Sequence, residues 1–352
     1  MQPDYSRQIL LKEVGAPGQA KLAASRVLVV GVGGLGSPVI QYLAGAGVGC
    51  LGLVDADVLA SSNLHRQPIY SAGDVGGSKV ALAEVAAQRI NPSVRIETHA
   101  VRLVADNAFT LVSGYDLVID CSDNFRTKFL INDAAILAQR PAVFASVYQF
   151  EGQLQVYKPA AEHGCLRCLW PDATVDGIVG NCAETGVMGP VPGIFGSIQA
   201  LMALKLLLEM PGQLAGELLL LDFAVLSSTR LKAPRRPECV APGCAHVRGL
   251  SSDPANFEIH LRSLDDASGF SLVDVRTDEE LLMSPARGRH IAMSTLLGHP
   301  NVLSKEARYL LVCASGQRSL TAARVLRAQG FDATSLAGGL RALEASGDPA
   351  AG

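Results

Sequence analysis

At 352 residues the chain exceeds the roughly 100 to 200 residues of a usual single domain, so two domains are expected before any motif is read. Apolar residues make up 49% and charged residues 18%, which excludes a disordered chain and points to buried parallel strands or a large subunit interface. The net charge of −3, with no basic run that would neutralise phosphates along a strand, argues against nucleic-acid binding.

Met1 to Leu10 is polar, contains Asp4 and Arg7 and lacks the apolar core of a signal peptide, so a cytoplasmic protein is expected. In that compartment the eight cysteines read as metal ligands or reactive thiols rather than disulfides. Two apolar stretches do not read as membrane spans. Val27 to Val54 is broken by eight glycines and Pro38, and Val191 to Met210 by Pro192, Gln199, Lys205 and Glu209.

In chain order, Arg26 to Val30 is an apolar strand, followed by Gly31-Val-Gly33-Gly34-Leu-Gly36, a helical pattern over Pro38 to Ala46 and a strand over Leu51 to Val54. A helix over Ser78 to Arg89 leads to a strand at Val94 to His99. The apolar strand Leu117 to Cys121 ends at Ser122-Asp123-Asn124, a helix covers Lys128 to Gln139, and Pro141 to Ala145 follows. This alternation predicts a doubly wound, Rossmann-like parallel sheet with ligands beyond the carboxyl ends of its strands. Gly152 to Tyr157 and Glu217 to Phe223 alternate in the manner of antiparallel strands, so the sheet is expected to be mixed. The apolar helix Ile194 to Met210 is expected in a core or a dimer interface. Proline, basic residues and lost periodicity in Lys232 to Asp253 place a larger first domain at 1–245, a linker at 246–256 and a smaller α/β domain at 257–352. In the latter, Leu272 to Val275 and Tyr309 to Val312 read as strands, and the helix Ser319 to Ala328 is expected to end at Gly330.

The glycine run by itself says only that a phosphate approaches the following helix N-terminus, and Asp55 fits a ribose-hydroxyl acceptor in a dehydrogenase or an ATP enzyme alike. The polar set that follows separates the two. Ser62-Asn63-Leu-His65-Arg66-Gln67, Lys79 and Asp123-Asn124 supply two cations, amides and a further carboxylate. Hydride transfer needs none of them. Adenylyl transfer does: Arg66 and Lys79 can neutralise charge at the α-phosphorus and on departing pyrophosphate, and Asp123 can hold Mg2+. His65 is assigned no chemistry.

Tyr5-x-Arg7-Gln8, Gly31-x-Gly33-Gly34-Leu-Gly36, Asp55-x-Asp57, Ser62-Asn63-x-x-Arg66-Gln67, Lys79 and Asp123-Asn124, in this order over residues 5–245, resemble the molybdopterin-synthase adenylyltransferase and ThiF family, which is similar to the ubiquitin-activating enzymes. The resemblance implies that Gly34, Asp55, Asn63, Arg66 and Lys79 touch ATP and that Asp123 holds the metal. It also implies a homodimer in which Arg7 reaches the neighbouring subunit's site.

Cys165-Leu-Arg-Cys168 supplies half of a tetrahedral thiolate site for Zn2+, and Cys239 and Cys244 are candidates for the other half. Family members usually close the site with a second Cys-x-x-Cys; here the spacing Cys239-Val-Ala-Pro-Gly-Cys244 is longer, leaving His246 as a substitute ligand and unmetallated thiols as the alternative. Cys182 stands on a long loop where related enzymes carry a cysteine able to bond covalently with a carrier protein, and it is either chemically required or a loop residue that helps close the site. Cys50 and Cys121 read as inert core thiols.

Cys313-Ala-Ser-Gly316-Gln-Arg318-Ser319 lies between an apolar strand and a helix, which places the sulfur within a ring of backbone N–H groups. The helix dipole and Arg318 favour its thiolate. The loop is six residues from Cys313 through Arg318, one fewer than in related phosphatases, and so resembles that of rhodaneses, as does Asp274-Val-Arg276. Ala314 stands where a basic residue is often found, so thiosulfate is expected to be a poorer donor than a protein persulfide. Together these readings predict adenylation of the Gly-Gly carboxylate of a small ubiquitin-like sulfur carrier, followed by sulfur transfer from Cys313, with a cysteine desulfurase or other persulfide donor as partner. The alternatives are a conjugation-type activator working through a Cys182 thioester, and a second domain that only docks a desulfurase.

Overall fold

The computed structural model describes residues 3–159, 163–170, 186–237 and 257–345, with 239, 244, 247 and 250 between them. The described residues form two compact units, one drawn from residues up to 250 and one from 257 onward. Cys182 and His246 lie outside the described residues.

In the larger unit the chain runs through α1 (Gly15–Ala24), β1 (Arg26–Val30), α2 (Gly36–Gly45), β2 (Cys50–Val54), α3 (Lys79–Ile90), β3 (Arg95–His99), α4 (Ala105–Ser113), β4 (Leu117–Asp120) and α5 (Phe125–Ala138). It continues through β5 (Ala142–Tyr148), β6 (Glu151–Tyr157), α6 (Pro190–Leu207), β7 (Glu217–Asp222) and β8 (Ser227–Lys232). The strands form one sheet in the order β3-β2-β1-β4-β5-β6-β7-β8. Pairing is parallel from β3 to β5 and antiparallel from β5 to β8, the mixed Rossmann-like sheet expected.

Strand alternation builds two cores. Val27 and Val29 of β1 pack with Val39, Ile40 and Leu43 of α2 and Phe195 of α6, whereas Leu28 and Val30 pack with Ala108 of α4 and Ile131 and Ala134 of α5. Each such fully buried aliphatic side chain contributes about 1.5–3 kcal/mol. Helix α6 is apolar and long enough, at 18 residues, to cross a membrane, but 56% of it is buried and it packs on α2 and β5 as a core helix. It begins at Pro190, whose missing N–H costs nothing in the first turn.

Some boundaries differ from expectation. Helix α5 starts three residues before Lys128, because the Asn124 side chain accepts the Thr127 N–H at 2.9 Å and caps it; left-handed Gln139, φ 52°, ends it. Strand β8 falls where no strand is expected, since every residue of Ser-Ser-Thr-Arg-Leu-Lys is exposed and pairing with β7 alone sustains it.

The smaller unit contains β9 (Glu258–Ile259), β10 (Ser271–Asp274), α7 (Asp278–Met283), β11 (Arg289–His290), β12 (Arg308–Val312), α8 (Gln317–Ala328), β13 (Asp332–Leu336) and α9 (Gly339–Ala345). Its sheet has the order β11-β10-β12-β13-β9, every pair parallel. Gly330, φ 87°, stops α8 as expected. Leu311 and Leu310 again face opposite cores, the first with Leu326 of α8, the second with Leu340 and Leu343 of α9.

Candidate functional site

The order of the larger sheet reverses between β1 and β4, and the crevice beyond their carboxyl ends receives the glycine loop from one and Ser122-Asp123 from the other. Gly31 permits this approach. Its φ is 93°, and a Cβ there would lie 2.6 Å from the Cys121 carbonyl oxygen.

Asp55 follows β2 and fixes the loop. One carboxylate oxygen accepts the Val32 N–H at 2.9 Å, and the other accepts the Asp57 N–H at 2.8 Å. Burial raises its pKa against the field of Lys79, so the carboxylate is held in place by amides at a desolvation cost. Tyr70, buried, donates to the Val32 carbonyl at 2.8 Å and lies 3.2 Å from that of Lys79, tying the loop to the start of α3. The Lys79 ammonium pairs with exposed Asp57 at 2.9 Å. Arg66 donates to the Ser62 carbonyl at 2.9 Å, and Asn63 Oδ1 accepts the Ala60 N–H at 3.1 Å.

Gln67 is 97% buried beside Gly33, and its Oε1 has no hydrogen-bond partner in the described structure, a buried acceptor that a ligand donor would satisfy. Among the expected residues, Asp55 holds the glycine loop through Val32, Lys79 pairs with Asp57, and Gly33 and Gly34 lie beside Gln67 and the Arg66 carbonyl. Asp123 is exposed at the end of β4, within 3.4 Å of the Asn124 amide nitrogen, while Asn124 Oδ1 is already engaged in capping α5. Arg7 is exposed on the short helix Ser6–Ile9, and among the described residues nothing joins it to this region.

Beneath the crevice is a buried ion pair that no motif announces. Asp120, fully buried at the end of β4, pairs with Lys128 of α5, whose ammonium also donates to the Ala145 carbonyl at 2.7 Å. The remaining Asp120 oxygen accepts the Ser122 N–H at 3.1 Å and hydroxyl at 2.5 Å, and Gln199 of α6 donates to the Asp120 carbonyl at 2.7 Å. These contacts fix the turn that carries Asp123. An acid closing the apolar run Leu117-Val-Ile-Asp120 was the available signal.

The four cysteines expected as metal ligands come together. Among the described residues no group of three or more His, Cys, Asp and Glu side chains forms a ready-made metal cage. The sulfurs instead close a ring of neighbouring pairs: Cys165–Cys168 3.9 Å, Cys168–Cys239 3.7 Å, Cys239–Cys244 3.5 Å and Cys244–Cys165 3.7 Å. A tetrahedron with Zn–S of about 2.3 Å has edges of about 3.8 Å, which these separations fit. The first pair is anchored to α5: Asn132 accepts the Leu166 N–H at 2.9 Å, and Arg167 makes two 2.7 Å bonds with Asp133. A hydrogen bond from Cys165 pulls the Cys168 thiol down to about 5, while that bond and burial push Cys165 up, so one of the pair holds the proton. Cys121 is buried, its pKa raised well above the thiol value by desolvation, as an inert core thiol would be.

In the smaller unit the order reverses between β10 and β12, and Cys313 follows β12. Its sulfur is fully buried and receives the Ser319 N–H of α8 at 3.4 Å, with the Ser319 hydroxyl also at 3.4 Å. The Cys313 and Ala314 carbonyls are tied to Leu340 and Arg341 at 2.9 and 3.1 Å, which fixes the loop against α9. Gly316 turns it at φ 83°, where a Cβ would sit 2.8 Å from the Gly338 nitrogen. Asp274, fully buried, pairs with Arg276 at 2.7 Å and accepts the Arg276 and Arg287 backbone N–H groups at 3.1 and 3.0 Å.

Arg318, expected to favour the Cys313 thiolate, has a carboxylate partner that the sequence did not indicate. Its guanidinium makes a two-pronged pair with Glu280, 2.7 and 2.6 Å, so its charge is balanced by that carboxylate. Burial raises the Glu280 pKa, but hydrogen bonds from Arg318 and the Thr277 N–H outweigh it and hold the carboxyl below its ordinary value. Sequence reasoning missed Glu280, whose signal was its place four residues beyond Arg276.

The ThiF family model matches residues 5–241. Over 243 residues the chain is 47% identical to the sulfur carrier protein adenylyltransferase of Thermus thermophilus, covering 68% of this chain and 90% of that one. It is 37% identical to the probable adenylyltransferase/sulfurtransferase MoeZ of Mycobacterium tuberculosis, covering 96% of this chain and 91% of that protein. Against the adenylyltransferase and sulfurtransferase MOCS3 of Anopheles gambiae it is 44% identical over 236 residues, and the match spans 53% of that relative's length. Among solved structures, E. coli MccB superposes with a TM-score of 0.59 at 21% identity, over 68% of this chain and 72% of that one. At that identity the likeness is one of fold.

Proposed function

The chain belongs to the ThiF family, and from that premise we propose that it adenylates the C-terminal Gly-Gly carboxylate of a small ubiquitin-like sulfur carrier and converts the adenylate to a thiocarboxylate with sulfur delivered by Cys313. One observation carries the first half: a glycine loop fixed by Asp55, flanked by Arg66 and Lys79, opens at the reversal point of the sheet opposite Asp123. MoeZ, matched along 96% of this chain, supports reading the second half as a rhodanese-type sulfurtransferase.

The carrier carboxylate attacks the α-phosphorus of ATP, the bond to the β-phosphate oxygen breaks, and pyrophosphate leaves. Backbone N–H groups of the loop and the α2 N-terminus receive phosphate oxygens, and Arg66 and Lys79 neutralise the charge that builds on them. Asp123, an exposed hard oxygen donor, would hold Mg2+, which supplies further charge neutralisation on the phosphates. Persulfide on Cys313 then attacks the acyl carbon and displaces AMP. A thiol, for which Cys182 is the candidate, attacks the Cys313 sulfur of the resulting acyl disulfide, so that the S–S electron pair leaves with the thiocarboxylate and a mixed disulfide remains for an external thiol to reduce.

Cys165, Cys168, Cys239 and Cys244 would hold a structural Zn2+, joining two separated chain segments. We further place the protein in the cytoplasm as a homodimer, with Arg7 completing the partner's site and a cysteine desulfurase or similar persulfide donor supplying Cys313. The test is ATP–pyrophosphate exchange dependent on a Gly-Gly-ended carrier. Exchange that appears with such a carrier and disappears when its terminal glycine is removed is the expected result; none with any Gly-Gly-ended carrier overturns the proposal.

A further inference from the structure

We propose that Glu280 is a specificity-determining residue for the sulfur donor: by offsetting the charge of Arg318 it lowers the positive potential at the Cys313 loop, and so disfavours the dianion thiosulfate against donors that carry their sulfane sulfur with less charge. The inference rests on the sulfurtransferase reading of the smaller unit and deepens it.

Two guanidinium groups near the loop are matched by carboxylates. Arg276 is paired with buried Asp274, and Arg318 with Glu280 through two hydrogen bonds. Arg287 gives its backbone N–H to Asp274. Exposed Asp278 and Glu279 add negative charge in the same turn as Glu280, and His290 faces Asp278 at 3.6 Å. At the loop itself Ala314 contributes no cation. A dianion approaching Cys313 therefore meets backbone N–H dipoles and, in Arg276 and Arg318, guanidinium groups whose charge is already matched. Each charge on the donor interacts separately with Glu280, so the penalty on thiosulfate is larger than that on a monoanion.

With thiosulfate, the Cys313 thiolate attacks the sulfane sulfur, the S–S bond breaks with its electron pair passing to sulfite, and the Cys313 persulfide forms. Methanethiosulfonate reacts in the same way, releasing methanesulfinate, and carries one negative charge instead of two. The pair thus isolates donor charge from sulfane chemistry.

The experiment measures sulfur loading on Cys313 of the full chain, as mass gain of the Cys313 peptide and as kcat/KM, for both donors. Glu280→Gln keeps a side chain that can bond Arg318 but removes the charge. It should raise the thiosulfate-to-thiosulfonate ratio of kcat/KM about tenfold, mostly through the KM for thiosulfate. Glu280→Asp, which keeps the charge, should retain the original ratio. Glu280→Ala, which removes both the charge and the bond to Arg318, should raise the ratio as well and serves if Glu280→Gln does not fold. An unchanged ratio in Glu280→Gln, or in Glu280→Ala where that variant stands in for it, overturns the role of Glu280. No sulfur on Cys313 from either donor in the unaltered protein overturns the sulfurtransferase reading itself.

Discussion

The two units use the same device at their strand ends and draw different chemistry from it. In each, two central parallel strands diverge in connectivity, β1 from β4 and β10 from β12. In each, one of the two ends in a fully buried aspartate whose carboxylate accepts the N–H of the residue two positions on, Asp120 from Ser122 and Asp274 from Arg276. They differ in where the balancing cation originates. Asp120 takes it from Lys128, eight residues on and in the next helix, whereas Asp274 takes it from Arg276, two residues on. The neighbouring strand then carries the reactive loop: glycines that expose backbone amides to phosphate in the larger unit, a single buried thiol in the smaller. The strand-end acid organises the turn, and the adjacent loop decides the reaction.

This comparison is broken or sharpened by a series of substitutions. The largest effect is expected from Lys79→Met, which removes a cation from the phosphate region and should lower pyrophosphate exchange by about 10²–10³-fold while leaving sulfur loading on Cys313 unchanged. Next, Lys128→Met and Arg276→Met each strand a buried carboxylate and should each cost about 3–5 kcal/mol, measured by denaturant unfolding with a probe in each unit. The first should move the transition of the larger unit and the second that of the smaller; a shared shift would show that the two strand ends do not act separately. Removal of Zn2+ by a chelator should lower the melting temperature of the larger unit alone, checked by metal analysis of the untreated protein, which should contain zinc in stoichiometric amount. The smallest effect concerns Glu280. Because its folded pKa lies below the ordinary 4.5, its pair with Arg318 contributes stability that is present above that pH and is lost as pH falls through the lowered value. Glu280→Gln should flatten this acid limb by no more than about 1 kcal/mol, since the carboxylate is partly screened by solvent.

What the sequence disclosed follows from what has a local signature. Continuous apolar runs such as Val27 to Val30 reveal buried parallel strands, and the glycine run, Asp55, Lys79 and Cys313 stand at fixed offsets from strand ends. Strand β8 has no such signature, because an exposed edge strand is held by its neighbour's backbone rather than by its own side chains. Helix α4 was likewise missed, burying only Ala108 and Val112. The Asp120–Lys128 and Glu280–Arg318 pairs join residues whose separation in sequence carries no period, so only the folded chain brings them together.

The most direct test of the account is a pair of assays on Cys313→Ala, supplied with ATP, a Gly-Gly-ended carrier and a persulfide donor. Carrier-dependent pyrophosphate exchange at the unaltered rate, together with complete loss of the 16-mass-unit gain that marks thiocarboxylate on the carrier, is the predicted result. Loss of both activities, or thiocarboxylate formed at the normal rate, would contradict the division of chemistry between the two units.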